Sequence, residues 1–186
     1  MKRLHIAQVG YVAISFLFYI AAILSLLFTG IPAPIFSILS GIVLLVYGVI
    51  KIIGYFSEDL FCLAFRYDLA FGILLIVIGV IVLFRFAEAV PWLPLGVGWL
   101  ALLDCVMKVQ MAQEARQFGL EHWQVILITA MIAGTFGVIL IIRCIAWGSG
   151  ERILTALTLL SVGAMNHYSA VAAVGKAKGQ SKNIEL

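Results

Sequence analysis

The side chains able to do chemistry in this chain are few, and they stand inside apolar sequence. Asp104 lies in the run Trp92 to Met111, about twelve residues from its start, which is ~18 Å along a helix. Lys108 follows one helical turn later, a spacing that lets a carboxylate and an ammonium meet on one face. Lys51 closes the segment Leu45-Val46-Tyr47-Gly48-Val49-Ile50-Lys51, with Tyr47 one turn before it. Asn166 and His167 stand at the same place in the last apolar run. Ionisable groups inside such runs are functional candidates. A cluster of Tyr47, Lys51, Asp104, Lys108, Asn166 and His167 would make a proton-responsive or ion-binding site, since carboxylate and imidazole both take up protons in acid. The competing reading is structural. Lys51 and Lys108 would carry their heads out to the lipid headgroups, Lys108 would neutralise Asp104, and His167 would hydrogen-bond within a helix bundle. Both readings stay open on the sequence.

Enzyme signatures are absent. There is no G-x-S-x-G, no H-E-x-x-H, no phosphate-cradling glycine loop and no pair of catalytic carboxylates. His5, His122 and His167 are scattered, and Cys62, Cys105 and Cys144 have no paired spacing. No catalytic residue, cofactor or metal site is expected, and the chain is read as a non-enzyme.

The elements that position these residues follow from composition. The 186 residues are 64% hydrophobic and 11% charged, with a mean hydropathy of +1.16. Soluble domains carry about 25% charged residues. So apolar a chain excludes a soluble globule, a disordered chain and a nucleic-acid binder, despite a net charge of +3. Six apolar runs cover Gln8–Phe28, Ala33–Phe56, Tyr67–Phe86, Trp92–Met111, His122–Ile142 and Ile153–Val174. Each is about long enough to span a bilayer as a helix, and none alternates as a membrane β-strand must. The first run is too long for a signal peptide and is read as a retained helix. Nine Lys and Arg, including Lys2, Arg3, Lys176, Lys178 and Lys182, fall on one side; Arg85, Arg143 and Arg152 fall on the other. That asymmetry places both termini in the cytoplasm, with Arg85 and Arg143 as outer anchors.

Internal similarity organises the runs. Gly79 to Arg85 parallels Gly137 to Arg143 at an offset of 58, and Leu45 to Lys51 parallels Leu102 to Lys108 at 57. Pro34 and Pro91 match at 57, and Asn166 stands where the lysines stand. The expected architecture is an all-α membrane protein of six transmembrane helices, arranged as three parallel two-helix hairpins near 8–57, 66–115 and 122–176, with 177–186 as a cytoplasmic tail. Gly41 and Gly48, Gly72 and Gly79, and Ala130, Gly134 and Gly137 supply small faces for packing within one molecule. The stretch Gln110 to Gly119 is expected to extend a helix or lie at the interface. The partners expected are membrane lipid and, in assembly, a second copy or another membrane protein.

This pattern resembles the HdeD-like acid-resistance membrane proteins, built from a short repeated membrane domain of unknown function. The resemblance runs from about Gly10 to Val174. It is strongest at Ser40-Gly41-Ile42-Val43-Leu44-Leu45-Val46-Tyr47-Gly48-Val49-Ile50-Lys51, at Phe71 to Val80, and at the later span bearing Gly96, Gly98 and Trp99. Pro32 and Pro91 fit the family pattern, whereas the stretch after Arg143 lacks the proline and the sixth span is unusually polar. The resemblance implies a six-helix bacterial inner-membrane protein linked to acid or envelope stress, with no established catalytic residues. The alternative is a small transporter or channel using Lys51, Asp104, Lys108 and Asn166 as its site.

Overall fold

An apolar run with no water beside it can satisfy its peptide groups only within itself, and the body of every run here is helical. The computed structural model describes the backbone of residues 2–27, 33–56, 68–117, 123–147 and 152–184, and side chains within 9–27, 35–56, 69–117, 123–146 and 152–171. Cys62, His122 and the turn at Pro32 lie outside the described residues, as do the side chains of His5, Trp147, Lys176, Lys178 and Lys182. The helices are α1 (Lys2–Leu27), α2 (Ala33–Tyr55), α3 (Asp68–Phe84), α4 (Phe86–Ala89), α5 (Leu93–Gln117), α6 (Trp123–Trp147) and α7 (Arg152–Ile184). Six of them are long. Four stretches, Val9–Leu27, Ile35–Tyr55, Phe86–Gln117 and Trp123–Ala146, are long and apolar enough to cross a membrane.

The remaining two long helices differ for identifiable reasons. The apolar part of α3 is short, Leu69–Phe84. It stops where Arg85 leaves helical geometry at φ −119° and ψ 38°. Arg85 then pairs with Glu88 at 3.3 Å, and the 3₁₀ turn Val90–Trp92, with Pro91 in it, leads into α5. Helix α7 is long but carries Thr155, Thr158, Ser161, Asn166, His167 and Ser169. Several of its hydroxyls bond to their own helix: Thr158 Oγ1 donates to the Leu154 carbonyl and Ser169 Oγ to that of Met165, both at 2.8 Å. Such internal bonds let polar residues enter a helix without needing water. Helix α7 also continues to Ile184, through most of the expected tail, and α5 continues to Gln117, so the stretch from Gln110 is a helical extension.

The intimate pairs are α2 with α3, α5 with α6, and α7 with α1. They join the second helix of one expected hairpin to the first of the next. The small residues decide this. A Cβ on Gly48 would lie 2.7 Å from the Gly72 carbonyl oxygen, and one on Gly72 would lie 2.8 Å from that of Gly48. Gly41 meets Gly79 and Gly98 meets Gly137 in the same reciprocal way. On α7, Gly163 faces Ser15 and Tyr19 of α1. Lipid tails give helices no hydrophobic reason to associate, so backbones close where side chains are absent. The bundle has an apolar core, yet it also exposes large apolar side chains and encloses polar ones. Phe84, Leu27, Ile145 and Trp92 point outward, while Ser15, Ser37, Lys51, Asp104, Lys108, Thr158 and Asn166 are buried. Soluble monomers rarely expose apolar surface so continuously.

Candidate functional site

Helices α1, α2, α5 and α7 bring their polar residues together in the interior, and Asp104 is the centre of the group. The Tyr47 hydroxyl on α2 donates to Asp104 Oδ2 at 3.0 Å. The Asn166 amide on α7 donates to the same oxygen at 2.9 Å. Lys51 Nζ on α2 lies 3.4 Å from the other oxygen, Oδ1. Exposure is 1% for Lys51, 1% for Asp104, 4% for Lys108 and 0% for Asn166, so the group is sealed from the surface. A charge so buried is expensive unless it is paired and hydrogen-bonded. Asp104 meets that requirement with donors from two other helices.

Aromatic faces complete the surroundings of the cations. Lys51 Nζ is 4.9 Å from the ring centroid of Phe71, 5.0 Å from that of Tyr47 and 5.4 Å from that of Tyr11. Lys108 Nζ sits over the Tyr11 ring from the other helix, at 5.6 Å. Ring faces carry negative charge density and attract a desolvated ammonium. Tyr11 and Phe71 had no signal in the sequence, since each is one aromatic residue in an apolar run.

Three expectations are corrected by this geometry. Asp104 makes its ion pair with Lys51 on a facing helix, not with its i,i+4 neighbour Lys108. The carboxylate is short and points into the bundle, where the nearest donors belong to other helices. Lys51 and Lys108 do not reach for the headgroups, because carboxylate and ring faces hold them inside. His167 leaves the cluster. Its ring stacks against Tyr19 at 6.5 Å and meets Phe16 edge-on at 6.0 Å, because consecutive helical residues point about 100° apart.

Other sequence candidates stand apart from the site. Cys105 is buried against Gly134, and it and Cys144 are free thiols. No group of three or more His, Cys, Asp or Glu that could hold a metal occurs among the described residues. Arg116 at the end of α5 lies over the Trp123 ring at the start of α6, at 5.0 Å.

The site joins helices whose sequences repeat, and the repeat carries a family signature. The short repeat of unknown function DUF308 matches residues 13–84 and again 70–142. The chain belongs to the DUF308 family. The two matches begin 57 residues apart and end 58 apart. Each DUF308 copy includes one intimate pair, α2 with α3 in the first and α5 with α6 in the second. Lys51 lies in the first copy and Asp104 and Lys108 in the second, while Asn166 lies beyond both. No curated protein and no solved structure matches the chain.

Proposed function

We propose that this DUF308 protein is a non-enzymatic protein of the bacterial inner membrane that resembles the HdeD-like proteins and serves acid or envelope stress tolerance. It spans the membrane six times as three parallel repeats, with both termini cytoplasmic. Membrane lipid surrounds it, and a second copy or another membrane protein is its partner. The observation that carries this reading is the sealed group at Asp104. It ties α2, α5 and α7 together through one carboxylate and leaves no exposed reactive side chain there. A protein that works by holding its shape in a stressed membrane needs such a tie.

The test is survival of acid-challenged cells that lack the protein. Wild-type chain should restore survival, and Asp104→Asn should restore it less well in proportion to lost protein. Proteoliposomes with an imposed pH gradient should show no flux above empty vesicles. Flux that Asp104→Asn abolishes would replace this reading with transport through the Lys51, Asp104, Lys108 and Asn166 group. The transport reading is favoured by one observation, that Asn166 Oδ1 is a buried acceptor without a hydrogen bond among the described residues.

A further inference from the structure

Helix α2 ends at Tyr55, one turn beyond Lys51. A lysine so close to a helix end ordinarily lays its stem along the helix and puts its head among polar headgroups. Lys51 takes the costlier course and is 1% exposed. Something inside must bind an ammonium strongly enough to win that competition.

The surroundings answer in chemical terms. The rings of Phe71, Tyr47 and Tyr11 stand 4.9, 5.0 and 5.4 Å from Nζ, and Asp104 Oδ1 is 3.4 Å away. Aromatic faces attract ammonium groups and are used by proteins to bind cationic ligands, and a carboxylate beside them adds a charge partner. One acceptor exceeds what Lys51 uses. Asp104 Oδ1 is engaged by Lys51, whereas Asn166 Oδ1, fully buried on α7, has no hydrogen-bond partner among the described residues. It is an oxygen that only a donor can satisfy. Lys108, also against the Tyr11 ring, sets the limit on occupancy. With two ammonium groups and one carboxylate already enclosed, an incoming cation must replace Lys51 and cannot join it.

We propose that Tyr11, Tyr47, Phe71, Asp104 and Asn166 form a binding site for the primary ammonium group of a small organic cation, and that Lys51 is its tethered occupant, which such a cation displaces. The tether sets the conditions for binding. An intramolecular ligand acts at an effective concentration of order millimolar, so a dilute cation does not enter until Lys51 withdraws. The site stands on its own geometry, whether or not anything crosses the membrane.

Lys51→Ala removes Cγ, Cδ, Cε and Nζ, the same heavy atoms that propylammonium supplies. Thermal unfolding of the detergent-solubilised full chain should therefore show rescue. Propylammonium chloride should raise the midpoint of Lys51→Ala by about 3 °C or more, as expected for a bound ligand of modest affinity. Sodium chloride at equal ionic strength and 1-propanol should not. Wild-type protein, its site already filled, should move by less than about 1 °C. Lys51→Ala with Asp104→Asn should not respond. Absence of rescue in Lys51→Ala overturns the proposal, as does an equal rise in wild type or in the double variant. If Lys51→Ala does not survive extraction, recovery becomes the readout. Monodisperse protein obtained in propylammonium but not in sodium supports the site, and equal loss in both overturns it. Neither result bears on acid survival or proton flux, which test the cellular reading separately.

Discussion

At Asp104 one carboxylate receives Tyr47 and Asn166 on Oδ2 and faces Lys51 with Oδ1. Breaking a buried ion pair from one side costs about 3–5 kcal/mol, because the partner charge is left uncompensated. Asp104→Asn should destabilise the protein by roughly that amount, since it strands Lys51. Lys51→Met should do the same by stranding Asp104. The double variant should recover much of the loss, a non-additivity that chemical unfolding of the four proteins in detergent would measure. Additive losses would mean that the pair contributes little. Lys108 behaves differently, because it is the surplus cation. Lys108→Met relieves its repulsion with Lys51 and forfeits one cation–π contact of about 0.5–2 kcal/mol. Its unfolding midpoint should stay near wild type or rise, while that of Lys51→Met falls; equal losses in the two would show that Lys108 shares the work of compensating Asp104. These roles were only partly legible in the sequence. The offsets of 57 and 58 put Lys51, Lys108 and Asn166 at one level of the bundle. They say nothing of the direction each side chain takes, so the sequence joins His167 to Asn166 by proximity alone. Tyr11 and Phe71 were invisible because no repeat partner of either carries an equivalent ring.

The helices meet where Cβ atoms are missing, and this makes glycine substitution discriminating. Any side chain on Gly48 or Gly72 must displace the opposing backbone, since its Cβ would stand 2.7 or 2.8 Å from a carbonyl oxygen. Overpacking of this kind costs about 1–3 kcal/mol, so Gly48→Ala and Gly72→Ala should each lower stability by that order. Gly96 lies on α5 with nothing within 4 Å of its ideal Cβ. Gly96→Ala should be neutral, or stabilising by about 0.5–1 kcal/mol through helix propensity. Midpoints from one detergent unfolding series test all three, and a Gly48→Ala protein as stable as Gly96→Ala would refute the close approach. The apolar runs locate the body of each helix but not every end: α1 starts at Lys2, and α5 and α7 continue to Gln117 and Ile184, because a helix can continue past the apolar stretch into polar sequence. Partner choice is not legible in the runs. Spacing shows that Gly41, Gly48, Gly72 and Gly79 form small faces, but chain neighbours are the default partners for a hairpin. The reciprocal fit of Gly48 with Gly72 belongs to α2 and α3, which the sequence had assigned to different units.

Across the whole molecule, α7 closes on α1 much as α3 packs on α2. The family signature covers residues 13–84 and 70–142, and each copy contains one intimate pair, but for the end of α6. The remaining pair is assembled from opposite ends of the chain. A continuous family pattern cannot cover it, which accounts for two matches beside three pairs. This arrangement separates two views of stability. If the matched copies were autonomous, a chain ending at residue 147 would keep both and fold. If the molecule depends on the pair made by its two ends, that truncation deprives α1 of the α7 face at Gly163 and removes the Asn166 donor from Asp104. Lipid can cover the apolar part of the exposed face at little cost, so the loss falls on packing and on the polar group. The donor alone is worth about 1.5–3 kcal/mol to a charged acceptor. The second view therefore expects the 1–147 chain to aggregate on size exclusion in mild detergent. Residues 152–186 supplied as a separate chain should restore a monodisperse peak, because α7 needs proximity to α1 and not a covalent bond. Asn166→Leu in that second chain should restore it less well, since α7 would then bring its helix face without the donor that Asp104 requires.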